Sequence, residues 1–104
     1  MTKKTSVRYN ATFQKKGNMV YISHLDLMAL FRRSIRRADL PFVLTEGFTP
    51  RVKISAPKAL KVGQESDSEE MVFWLREEKE SDELAQALNE QMPEGVRILQ
   101  IKKG

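Results

Sequence analysis

The stretch Ser23–Asp39, SHLDLMALFRRSIRRAD, constrains this chain most, because it reads as one amphipathic helix with a single stripe to bury. At about 100° per residue, Leu27, Met28, Leu30, Phe31, Ile35 and Ala38 gather on one side, with Ser34 among them. Arg32, Arg36, Ala29 and Leu25 lie opposite, flanked by Arg33 and Arg37. Pro41 ends the helix, since proline disfavours helical backbone in the residue before it. A helix with one apolar face must cover it with a second layer of structure.

The rest of the chain supplies that layer as strands. Val7, Tyr9, Ala11 and Phe13 alternate with Arg8, Asn10 and Thr12, the signature of a half-buried strand. Lys15–Asn18 is a turn, and Pro41–Thr45 and Arg51–Ser55 are short strand candidates around the loop Glu46–Pro50. Ala56–Ser68 reads as loop, and Glu70–Arg76 as a strand. Ser81 is placed to cap a second helix, with Asp82 and Glu83 in its first turn and Leu84, Ala85, Leu88 and Met92 as its stripe. After the turn Pro93–Gly95, Val96–Ile101 forms a last strand. The order is β-α-β-β-α-β, which predicts an α+β, ferredoxin-like split fold in one domain over residues 1–104. Its four-stranded antiparallel sheet carries both helices on one face and leaves the other open, a platform on which some modules of this topology stack RNA bases.

Composition narrows the chemistry. There is no cysteine, which removes thiol nucleophiles, Cys-ligated zinc and any iron–sulfur cluster held by this chain alone. The single histidine, His24, has no second imidazole to share a metal, so neither a metal nor a cofactor is expected. No apolar run follows the N-terminal lysines, and none approaches membrane-spanning length, which favours a cytoplasmic protein. The charge is uneven. Residues 1–63 carry 13 Lys and Arg against three acids, a net of +10, and residues 64–104 carry a net of −6. A basic half of this strength attracts a phosphate backbone or an acidic partner; the plainer alternative is a solvated surface.

The four letters SHLD raise a Ser-His-Asp constellation. Ser23 with Asp26 three residues on is also a capping-box pattern, which satisfies free amides at a helix start, and that reading accounts for both residues. His24, at the first helical position, is expected at the rim of the apolar side, either packed there or contacting a ligand. The loop Glu46–Ser55 puts Phe48 beside Arg51 and Lys53, a pairing suited to base stacking with phosphate contact. Phe48 plugging the end of the core is the alternative. In the strand 70–76, Met71, Phe73 and Leu75 share one face, and Val72 and Trp74 the other, beside Arg8, Asn10 and Thr12. A tryptophan on an open sheet face points to stacking or to another polypeptide resting there, and docking to a partner is the expected role of Trp74.

Tyr21-Ile-Ser-His-Leu-Asp-Leu27, Arg32-Arg-Ser-Ile-Arg-Arg-Ala38, Leu40-Pro41, Glu46-Gly-Phe48 with Pro50, Lys53-Ile-Ser55 and Leu60 with Val62-Gly63 together resemble the radical-SAM-linked (radical-SAM-associated) family. That family is an uncharacterised domain, found separately or attached to the C-terminus of radical SAM enzymes. The resemblance covers nearly the whole chain in order. Where the family usually reads Glu-Gly-Phe-Asn-Pro-His-Pro-Lys, this chain has Thr49, Arg51 and Val52, so any role for that histidine does not carry over. Family members tend to be longer, which implies that this chain is either their N-terminal portion or a short member; the former would suit Trp74 facing an absent neighbour. The resemblance implies a helper of a radical SAM partner; lacking cysteine, the chain does not hold the three-cysteine cluster motif itself.

Three expectations follow. The first is a non-catalytic accessory domain binding tRNA or rRNA, with Arg32, Arg33, Arg36, Arg37, Arg51 and Lys53 on phosphates and His24 and Phe48 near bases. The second is a module that docks a radical SAM partner through Trp74 or the basic helix. The third is a small enzyme using His24, Asp26 and Glu46.

Overall fold

A computed structural model describes residues 6–59 and 61–104; Leu60, part of the motif quoted above, and the first five residues, Lys3 and Lys4 included, lie outside the described residues. The elements are β1 (Val7–Lys15), a 3-10 turn (Gly17–Tyr21), α1 (His24–Arg37), β2 (Ile54–Ser55), β3 (Ser66–Leu75), α2 (Ser81–Asn89) and β4 (Val96–Lys103). The strands pair antiparallel in the order β2-β3-β1-β4. The expected split α+β arrangement is therefore present, with β1 and β3 as the two central strands.

Both helices bury their stripes on the same side. Leu27, Leu30, Phe31 and Ile35 of α1 and Leu84 and Leu88 of α2 join Tyr9, Ala11, Phe13, Met71, Phe73 and Leu75 in one core. Aromatic rings fill its middle: Phe13 and Phe31 have centroids 4.9 Å apart at 57°, and Tyr9 and Phe73 lie 5.5 Å apart, nearly parallel. Each such side chain removed from water contributes roughly 1.5–3 kcal/mol, so this core, not local propensity, holds the helices in place. The Tyr9 hydroxyl ties down the chain before α2, donating to the Lys79 carbonyl and accepting from the Lys79 amide, both at 2.8 Å.

Several boundaries differ from the sequence expectation. β1 runs on to Lys15, whose side chain takes the next inward position and is fully buried, its Nζ donating to the Lys61 carbonyl. An inward lysine breaks the apolar alternation, so the pattern stops early at Phe13. β3 begins at Ser66, within the stretch that reads as loop, because the longer β1 offers partners as far as the Lys15–Ser66 pair. The second strand of the pattern is split. Ile54–Ser55 forms β2, while Phe42 and Leu44 make only isolated bridges, to Leu75 and Val52. α2 starts one residue early, with Glu80 rather than Ser81 at the cap position and no side chain capping it.

α1 begins and ends as local chemistry dictates. The Ser23 hydroxyl accepts the Asp26 amide at 3.1 Å, one limb of the capping box. At the other end Asp39 takes a left-handed φ of 57°. The Asp39 amide then reaches the Arg36 carbonyl and the Leu40 amide the Ile35 carbonyl, a Schellman ending. The turn, with Pro41 behind it, stops the helix.

Candidate nucleic-acid interface

The segment between α1 and β2 folds back as a hairpin along the outer edge of the sheet. Its arms meet at the Leu44–Val52 bridge, and the Thr45 amide bonds to the Arg51 carbonyl at 2.7 Å. The Arg51 amide returns a bond to the Thr45 hydroxyl at 3.0 Å. Gly47, at a φ of 131°, lets the tip turn, and Phe48 stands fully exposed at that tip. Phe48 therefore does not plug the core.

α1 lies against this hairpin. Arg32 donates through Nε to the Val52 carbonyl at 3.4 Å, and the Arg36 guanidinium sits 5.4 Å from the centre of the Phe42 ring. These contacts bring Arg32 against the arm that carries Arg51 and Lys53, and Arg36 against the arm that leads to the tip. Lys53 points to the other side of the sheet, its Nζ 4.6 Å from the centre of the Trp74 ring. Four cations thus surround one edge of the sheet, two on the helix side, one near the tip and one on the open face.

None of the four is paired with a carboxylate among the described residues. The ion pairs present, Lys58–Glu70, Lys79–Glu77 and Lys103–Glu78, all lie elsewhere. The acidic half of the chain does not neutralise this edge.

The other expected residues are not gathered there. Arg33 and Arg37 are exposed, but about 140° of helix rotation separates Arg37 from Arg32. Ser34, whose hydroxyl contacts the Met92 sulfur at 3.7 Å, marks the side of α1 that faces the end of α2, and Arg37 lies toward that side. Of the four arginines in the basic stripe, Arg32 and Arg36 contact the hairpin, and no such contact joins Arg33 or Arg37 to it among the described residues. His24 opens α1, twelve residues before Arg36, a separation of about 18 Å along the axis. It is exposed rather than set into the rim of the apolar side. Ser23 is occupied as a cap, and no hydrogen bond joins His24 to Asp26 or Glu46 among the described residues. Nor do the described residues hold a cluster of three metal-ligating side chains.

The open face of the sheet carries basic residues beside an acid, Glu70. Arg8 sits directly opposite Trp74, Asn10 opposite Val72, and Thr12 opposite Glu70. Across β1, Lys102 pairs with Asn10, Gln100 with Thr12, and Arg97 with Gln14. Glu70 is engaged: it accepts from Asn10 Nδ2 at 2.9 Å and meets Lys58 Nζ at 2.6 Å. The hydrogen bond from Lys58, then that from Asn10, lowers the Glu70 pKa below the ordinary glutamate range. The same partnership raises Lys58. The face is not bare over β3, for Val72 is only 1% exposed. The sequence pattern sets Arg8 next to Trp74 but gives no part to Lys102 or Arg97. The alternation in β4 was the available signal, and a bulge between its pairings to Thr12 and Phe13 shifts that alternation by one residue.

A family model described as an uncharacterized protein conserved in bacteria (DUF2344) matches residues 8–104. No curated protein and no solved structure matches the chain.

Proposed function

Since the chain belongs to this bacterial family over residues 8–104, we propose that it is a non-catalytic accessory domain that binds RNA, tRNA or rRNA, through the cationic edge formed by α1 and the hairpin. One observation carries the reading: Arg32, Arg36, Arg51 and Lys53 gather around the hairpin without a carboxylate partner among the described residues. Unpaired cations converging on one edge favour a polyanion, and their spread over both sides of that edge suits a flexible strand that can follow it. Phe48 at the tip adds an exposed ring to the same edge. The link to a radical SAM enzyme rests on the sequence resemblance, in which Tyr21–Leu27, Arg32–Ala38, Glu46–Phe48 with Pro50, and Lys53–Ser55 are the matching motifs; the domain would present RNA to such a partner.

Filter binding of radiolabelled tRNA and rRNA fragments across a salt series tests the proposal. Binding that weakens steeply with salt supports it. No binding, or tight binding indifferent to salt, contradicts it.

A second reading, docking of the radical SAM partner, is favoured by apolar side chains that the core leaves outside. Tyr21 and Leu25 are 73% and 77% exposed near the start of α1. Trp74 is half-buried on the open face. A partner that co-purifies through nuclease treatment supports this reading. If Trp74→Ala weakens that complex and leaves RNA affinity alone, the tryptophan belongs to the protein interface.

A further inference from the structure

The RNA reading leaves the form of the RNA open, and the geometry around the chain's one tryptophan narrows it. Val52 and Lys53 are consecutive residues of the extended arm that leads into β2, so they address opposite sides of the sheet. Val52 is buried and its carbonyl meets Arg32 on the helix side, whereas Lys53 reaches over Trp74 on the open side. The cationic edge therefore continues around β2 onto the open face. There Trp74 is partly exposed, has Arg8 directly opposite it in the register, and has Lys53 resting on its ring. Arg8 is held by a hydrogen bond from its guanidinium to the Gly104 carbonyl, not by an acid. Lys102 lies one strand further on. Glu70, the acid of this part of the face, is already engaged by Lys58 and Asn10, so it does not repel an incoming phosphate as a bare carboxylate would.

We infer that Trp74, Lys53 and Arg8 form a nucleotide subsite for single-stranded RNA, in which a base stacks on the indole and the neighbouring phosphates meet Lys53 and Arg8. The inference rests on the RNA reading above. An indole face that attracts an ammonium is electron-rich and accessible, and an exposed cation–π contact is weak enough for a base to displace. The displaced ammonium then lies next to the backbone of the nucleotide that displaced it. Duplex RNA does not fit the same subsite, because its bases are stacked on one another and present no free face. A strand that crosses the β2 edge would touch Arg51, Arg32 and Arg36 with its phosphates and the indole with one base.

Trp74 is the sole tryptophan, so its fluorescence reports on this subsite alone. The experiment titrates the protein with a single-stranded oligonucleotide and, separately, with a blunt duplex of equal phosphate count. It follows emission and affinity in the wild type, and affinity in Trp74→Phe and Trp74→Ala. The single strand is expected to quench emission to saturation and the duplex to leave it unchanged. Trp74→Ala is expected to weaken single-strand binding roughly 5- to 150-fold, the effect of losing one base–aromatic stack, with Trp74→Phe keeping most of the affinity. Single-strand binding that needs Arg32 and Arg36 but neither quenches emission nor responds to Trp74→Ala overturns the subsite and leaves the RNA reading standing. Absence of binding to any RNA overturns both. A Trp74→Ala effect confined to a protein partner assigns the indole to that partner and overturns the subsite.

Discussion

Removing Arg32 and Arg36 together gives the most quantitative test of the cationic edge. Four unpaired cations surround the hairpin, and if each meets one phosphate of a single strand, together they contribute about −2.8 to the log–log slope of affinity against salt, apart from any contribution of Arg8 on the open face. Between about 50 and 200 mM salt, that contribution costs about 50-fold in affinity. The Arg32→Ala/Arg36→Ala double variant keeps Arg51 and Lys53, so the hairpin's contribution falls to about −1.4 and its share of the loss over the same range to about sevenfold. The substitution is mild for the fold. Arg32 gives up one long hydrogen bond of 3.4 Å and Arg36 an exposed contact with Phe42, the latter about 0.5–1 kcal/mol, and a thermal melt checks that the variant remains folded. Arg33→Ala/Arg37→Ala is the matched control: it removes the same charge from positions of α1 that make no contact with the hairpin among the described residues, and is expected to leave the slope near that of the wild type. Filter binding at five or more salt concentrations measures all three slopes. Equal slopes for the wild type and the Arg32/Arg36 variant, or a larger change in the Arg33/Arg37 control, would refute the assignment of phosphates to the hairpin edge.

Two further predictions concern the scaffold and its charge. Asn89 closes the outer edge of β4, its side chain accepting the Ile98 amide at 2.7 Å and donating to the Ile98 carbonyl at 3.0 Å; Asn89→Ala leaves both backbone groups without that partner, and is expected to cost about 1–3 kcal/mol and lower the melting temperature by about 4–8 °C per kcal/mol, whereas an unchanged melt would remove the edge-closing role. Glu70, held low by Lys58 and Asn10, contributes stability that is complete above the ordinary glutamate pKa of about 4.3 and disappears as pH falls further, through its own lowered value. An NMR titration of its carboxyl should show a midpoint below the ordinary range that moves up in Lys58→Ala; a midpoint at or above that range would contradict the pairing.

What the sequence made legible was the scaffold, through periodicity. The strict alternation of Val7 to Phe13 and the stripe from Leu27 to Ala38 each correspond to buried faces, and Ser23 caps the helix as its spacing implies. Failures occurred where tertiary partners override pattern. Ser66–Glu69 is polar but is recruited into β3 by the length of β1, and Lys15 occupies a core position because the Lys61 carbonyl receives its ammonium. The candidate site was half legible. Residue types and spacing identified Arg32, Arg36, Arg51, Lys53 and Trp74 as surface chemistry. Whether they meet depends on how α1 rotates against the hairpin and on the register that puts Lys53 over Trp74, and a helical wheel holds neither. The wheel places Arg33 and Arg37 beside Arg32 and Arg36, and only the contacts of Arg32 with Val52 and of Arg36 with Phe42 tell the two pairs apart.

Chemical-shift mapping asks where RNA sits without relying on any substitution. Titration of the isotopically labelled protein with a single-stranded oligonucleotide is expected to shift the amide and side-chain signals of Arg32, Arg36, Arg51, Lys53 and Trp74, leaving Arg33, Arg37 and His24 near their starting positions. Shifts centred on Tyr21, Leu25 and His24, or on the outward flank of α1, or no shifts at all, would contradict a strand following the hairpin around the edge of the sheet.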